Sequence, residues 1–162
     1  MASLRLAVAT AAVIALAGCA PTAQQINAAI QANKDQFTAC EIAVLGNPEY
    51  SSLLGHNFPA ESPPAAELAN DTLPTPEQAR LLVQRWNERA PCRAALVAAE
   101  AAPPINRPDI AQISNAVWAA VGDLNARFSH GQMTWAARAR EGMQIMQDGQ
   151  KALQQHQAQQ AR

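Results

Sequence analysis

Apolar residues in this chain recur at alternating steps of four and three, in runs that Pro and Gly keep separate. Ile26, Ile30, Asn33, Phe37, Cys40 and Val44 form one such line; Ile110, Ile113, Val117, Val121, Leu124 and Phe128 form another. Trp135, Ala139, Gly142, Met146, Gly149 and Leu153 form a further one. This spacing puts side chains on a single face of an α-helix, whereas a strand would need steps of two. Aromatic residues make up only 4% of the chain and Ala and Gln are abundant, which also favours helix over sheet. The expected fold is therefore all-α: an antiparallel bundle of about four long helices plus one short helix, with a Pro-rich connector.

Local punctuation sets the boundaries. A first helix runs from about Thr22 to Leu45, and Gly46 suits its stop. Asn47-Pro48-Glu49 suits a new start, opening a short helix that carries Tyr50, Leu53 and Leu54 and ends near Gly55 to Phe58. Residues 59–74 hold four prolines and read as an extended connector, pinned across the bundle by Phe58, Leu68 and Leu73. Thr75-Pro76-Glu77-Gln78 has capping-box spacing and opens a helix through Leu82 and Trp86 to about Ala101, which Pro91 kinks or interrupts. Pro103-Pro104 stops it, and Asp109, directly after Pro108, opens the third long helix. Ser129-His130-Gly131 breaks the chain and Thr134 caps a fourth helix, so the last two form an antiparallel pair. Gly142 and Gly149 lie on one edge of the fourth helix, where a neighbour can approach closely. Lys151 to Arg162 reads as a fraying helical tail.

The N-terminal segment has Arg5, an apolar stretch from Leu6 to Leu16, and then Leu16-Ala17-Gly18-Cys19. The stretch is too short to cross a bilayer, which takes roughly 20 helical residues. The segment resembles the signal peptide and lipobox of bacterial lipoproteins. The resemblance implies that residues 1–18 are removed and that Cys19, carrying acyl chains such as palmitate, becomes the first residue of the mature protein. It also implies a tether over residues 19–22 and a helical domain over 23–162. Ala20 stands where an Asp is associated with inner-membrane retention, so the implied location is the outer membrane, facing the periplasm. With Cys19 taken by lipid, Cys40 and Cys92 remain as an even pair in an oxidising compartment, and a disulfide between them is expected. Two buried thiols are the alternative; a redox-active pair is disfavoured because no Cys-x-x-Cys arrangement is present. The turn Gly131-Gln132-Met133-Thr134-Trp135 is similar to one in small proteobacterial lipoproteins, which implies two C-terminal helices joined there and no particular activity.

Residues 19–162 keep all 13 acidic groups and lose only Arg5 among the basic ones, giving a slight negative charge. That balance argues against nucleic acid as a partner. His56, His130 and His156 lie in a loop, a turn and a polar tail without zinc-ligand spacing, and no Gly-x-Ser-x-Gly elbow is present. No catalytic residue, metal or cofactor is assigned on this basis. Glu41, beside Cys40, reads as a boundary carboxylate pairing with an Arg. Arg85, Arg89 and Arg93 recur every four residues as one basic ridge, read as a solvated face or as a possible interaction surface for an anionic partner. Trp86, Trp118 and Trp135 fill core volume or line a groove between helices. These features lead to the expectation of a lipid-anchored envelope protein with a non-enzymatic, accessory role beside a protein partner. The alternative is a binder of a small apolar ligand between helices near the three Trp residues.

Overall fold

The computed structural model describes residues 20–53 and 63–160; Cys19, Leu54, His56 and Phe58 lie outside that range. Among the described residues the chain is all-α. Its helices are α1 (Ala23–Leu45), α2 (Ala65–Leu68), α3 (Pro76–Glu88), α4 (Ala90–Ala101), α5 (Pro108–Ser129) and α6 (Trp135–Gln160), with a 3₁₀ turn at Pro48–Leu53.

The helix ends follow local chemistry. Thr22 and Gln25 form a reciprocal capping box that starts α1, and Thr75 with Gln78 does the same for α3. The Asn47 side chain accepts from the Glu49 amide at 3.1 Å, starting the 3₁₀ turn. Gly131 sits at φ +69°, a left-handed conformation that favours glycine. Its amide donates to the Phe128 carbonyl at 2.9 Å, and the Gln132 amide donates to the Arg127 carbonyl at 3.1 Å. Those two bonds are the Schellman pattern that closes a helix. Thr134 then accepts from the Ala137 amide at 3.2 Å and caps α6.

Pro91 sits in the first turn of α4, and the expected interruption falls two residues earlier, at Arg89. The α3–α4 rod is therefore interrupted rather than continuous. It packs on α1 and on α5, while α6 packs on α5 and, through Trp135, meets Leu81 and Leu82 of α3 in the core. The α5–α6 pair is antiparallel, as Arg127–Glu141 at one end and Asp109–His156 at the other show. Cys40–Cys92 and the Asn33 side-chain bond to the Leu96 carbonyl (3.2 Å) set α1 antiparallel to α4. The rods thus succeed one another in a row, and among the described residues α1 and α6 share no extended contact that would close the ring.

Two expectations need correction. The connector is not extended throughout, because α2 makes a helical turn in it. Leu73 does not pin it either, being 54% exposed. Backbone groups hold it instead: the Trp135 amide donates to the Thr72 carbonyl at 3.0 Å and the Ala136 amide to the Asn70 carbonyl at 2.8 Å. Those amides belong to the first turn of α6, where no intrahelical acceptor exists, so the connector satisfies groups that would otherwise be orphaned. At the other end, α6 remains helical through Gln160, and His156 is paired with Asp109 rather than lying in a loose tail.

Tyr50, Leu53, Leu81, Leu82, Phe128 and Trp135 form the main apolar core, and Val121 with Leu124 forms a second. As its sequence position suggests, Gly149 marks a close approach. A Cβ there would stand 2.6 Å from the Val117 Cγ2 atom, so α5 and α6 meet without room for a side chain.

Candidate functional site

The basic ridge is not a solvated face. Arg85, Arg89 and Arg93 are 3%, 6% and 8% exposed, and Arg138 from α6 is 1% exposed beside them. The reason lies in the packing: the face of α3–α4 that carries the ridge also carries Leu81 and Cys92, and its arginines meet Glu41 on α1, Tyr50 and Glu67 on the preceding turns, and Trp118 on α5. Glu41 on α1 pairs with Arg89 as expected, but it is buried with its partner rather than lying at a boundary, because α1 packs closely on α4 there. Glu67 on α2 approaches Arg138 at 3.9 Å, and the Asn125 side-chain oxygen accepts from Arg138 Nε and Nη2 at 3.2 and 3.1 Å. Burial lowers the pKa of all four guanidiniums, to about 10 for Arg89, where Arg93 adds repulsion, and to about 9 for Arg138. Arg remains charged at neutral pH under such shifts. Glu67 moves the other way: burial raises its pKa, against the pull of Arg138 and Arg85. The interior therefore contains a seam of charge that joins α1, α2, α3, α4 and α6. Arg suits it because a guanidinium is weakly hydrated and stacks on aromatic faces.

Arg93 shows that stacking. Its guanidinium lies 3.5 Å from the Trp86 ring centroid and 5.9 Å from that of Trp118, and its Nη2 donates to the Trp86 carbonyl at 2.9 Å. Phe37 on α1 completes the group, with its ring 5.8 Å from Trp118. Trp86 and Trp118 are thus brought together, 6.4 Å between centroids. Trp135 is not with them. It packs edge-on against Phe128 at 4.5 Å and is 1% exposed in the main core. A groove lined by all three Trp residues is therefore not what the fold builds.

What it builds is a cleft where the row of helices fails to close. One part, about 140 Å³, is bounded by Ile113, Val117, Trp118, Met146, Gly149 and Leu153. A second part of about 270 Å³ adjoins it and shares Leu96, Ser114 and Leu153. Here α1 and α6 face each other, and the lining turns polar with Asn33, Lys34, Glu100, Arg107 and Gln157. The first lining is almost entirely apolar, whereas the second mixes charge with hydrocarbon. Glu100 Oε2 is buried and makes no hydrogen bond. Burial raises the Glu100 pKa, and a hydrogen bond from Ser114 partly opposes the rise. Arg107 is turned toward Asp109, donating from Nη2 at 2.9 Å and from Nε at 3.2 Å to each oxygen, which raises its pKa and holds that of Asp109 far below the usual carboxylate range.

Cys40 and Cys92 are joined, with Cα atoms 5.8 Å apart, on the side of α1 next to the cleft. Cys19 lies outside the described residues. Among those residues no three His, Cys, Asp or Glu side chains gather as a metal site, and no helix is long and apolar enough to cross a membrane. Sequence reasoning did not find Glu67, Arg138, Asn125 or Glu100. For the first three the signal was absent, because their partners sit 13 or more residues away across the fold. Comparison with protein-family models, with curated proteins and with solved structures finds no match for the chain in any of the three.

Proposed function

We propose that the protein is a lipid-anchored component of the cell envelope, held at the periplasmic face of the outer membrane through Cys19, with a non-enzymatic, accessory role beside a membrane protein. The observation that supports this reading is the length of the tether. Thr22 already caps α1, so three residue steps separate it from Cys19, at most about 11 Å of chain. A domain on so short a leash acts at the bilayer surface. The first helix, α1, is itself about 35 Å long. Acyl chains on Cys19 supply the attachment, since two or more chains hold a protein stably where one does so only marginally. In-cell crosslinking of the anchored protein tests the role. A reproducible membrane-protein neighbour is expected, and a strictly monomeric species without neighbours overturns it.

A second reading, a binder of an apolar ligand between helices, is favoured by the cleft at Trp118. Trp86 sits behind Trp118 and Trp135 takes no part, so the candidate residues narrow to Trp118 and its cleft neighbours.

A further inference from the structure

We infer that the end of the bundle nearest the anchor is a membrane-facing cap, seated on phospholipid headgroups with the helices standing up from the bilayer. The inference rests on the lipid-anchor reading and adds to it which surface meets the membrane. Two contacts decide what this end contains. The Asn33 bond to Leu96 sets the direction of α1 against α4, and the pairing of Asp109 with His156 sets that of α5 against α6. Ile30, Ile105, Ile110 and Leu153 accordingly line one cavity at this level. From there α1 rises about 10 Å to Ala23, and α6 rises about 10 Å to Gln160. Between them lies the loop from α4 to α5, closed by the Arg107 amide donating to the Glu100 carbonyl at 2.7 Å. The start of α1, the end of α6 and this loop thus share one end of the molecule, and the tether leaves from it.

Charge points the same way. Residues 20–33, 101–106 and 152–160, which make up this end, contain no Asp, Glu, Lys or Arg. They expose small apolar groups and amides instead: Gln24 and Asn27 on α1, Ala102 and Pro103 in the loop, Gln154 and Gln155 on α6. Their one titratable side chain, His156, is held against Asp109, which Arg107 also binds. The opposite end is dense in charge. Glu49, Glu77 and Arg80 cluster where α3 begins, and Arg127 pairs with Glu141 beside the α5–α6 turn. Ionic groups give up their water at the highest cost, so a surface without them meets a headgroup layer most cheaply. Side-chain amides then donate to phosphate and ester oxygens. Below the cap, the first charges met on α1 and α6 are the exposed Lys34 and Lys151, of the sign that anionic headgroups attract.

The test uses the full lipidated chain in nanodiscs whose phospholipids, part of them anionic, carry a nitroxide on the headgroup. A fluorophore is attached through Gln155→Cys at the cap or through Gln132→Cys at the α5–α6 turn. Along α6 the two stand about 30 Å apart, beyond the reach of a contact quencher. The Gln155 label should lose most of its emission and the Gln132 label almost none. Adding Asn27→Glu with Ala102→Glu, both at exposed positions, should restore much of the Gln155 emission with an unchanged circular dichroism spectrum. Equal quenching of the two labels, or stronger quenching at Gln132, overturns the upright cap while the protein's presence in the disc fraction keeps the anchor reading. Quenching at neither label in protein-bearing discs overturns the contact with lipid and assigns the cap to another partner. Quenching that the two carboxylates leave untouched overturns the part given to the uncharged surface. A chain that never enters the disc fraction refutes the anchor reading itself, and the cap falls with it.

Discussion

Replacing Arg89 by Met removes the cation from a pair that the fold has taken out of water. Glu41 is 8% exposed and Arg89 6%, so the carboxylate left behind has neither solvent nor its partner. Removing one member of a buried pair costs about 3–5 kcal/mol. Set against a domain stability of about 5–15 kcal/mol, that is a large fraction of the total. With a urea dependence of about 2 kcal/mol per molar, the unfolding midpoint should fall by about 1.5–2.5 M. Two controls separate burial from mere charge. Arg80 contacts Glu77 at 2.7 Å and Glu49 at 3.3 Å but is half exposed, so Arg80→Met should leave the midpoint nearly unchanged. Raising the salt to about 1 M shortens the screening length to about 3 Å, which weakens exposed pairs and hardly touches a buried one. The Arg89→Met deficit should therefore persist in salt, and adding Glu41→Leu should recover part of it by removing the stranded charge. A deficit below about 0.5 kcal/mol, or one that salt erases, would mean a solvated ridge and refute the buried seam.

Other outcomes follow from the same structure. Replacing Cys40 and Cys92 by Ala should cost about 4 kcal/mol in the chain-entropy model, because a loop of about 53 residues is opened; matching urea midpoints for parent and variant would contradict it. Gly149→Ala should lower stability, since overpacking at about 1–3 kcal/mol outweighs the roughly 1 kcal/mol that Ala gains in helix propensity. Val117→Ala in the same chain should restore it, and thermal melts of the two variants decide. The raised Glu100 pKa stabilises the fold fully below the unfolded value of 4.5 and loses that contribution as pH rises through the folded value. Glu100→Gln should accordingly gain on the parent as pH increases from about 4.5; a stability difference that stays flat with pH would refute the burial. Cys19→Ser should release the protein from membranes and abolish radiolabelled palmitate incorporation; retention at the membrane would count against the anchor.

The helices were legible because their signals are local. Thr75 with Gln78 and Thr134 with Ala137 lie within three residues of each other, and the stripes of α1, α5 and α6 need only a period. The buried arginines were not, since helical spacing alone does not say whether a basic face meets water or another helix. A clue was present nonetheless. Leu81, Arg85, Arg89 and Arg93 continue one line at steps of four, so the ridge extends an apolar stripe, and Glu41 stands in the α1 line beside Cys40. The cleft depends on α1 and α6 failing to close, which is a property of how the rods are stacked and leaves no trace in any one segment. Trp135 shares only its residue type with Trp86 and Trp118, whereas its neighbour across the α5–α6 turn, Phe128, decides where it packs.

The crosslink between α1 and α4 also decides how this molecule answers to force. A pull applied at the N-terminal end of α1 travels along the helix to Cys40 and crosses directly to Cys92. The intervening stretch, including the 3₁₀ turn, the connector and α3, is bypassed and bears no tension through the backbone. Load entering at that end thus reaches α4 without passing through α3.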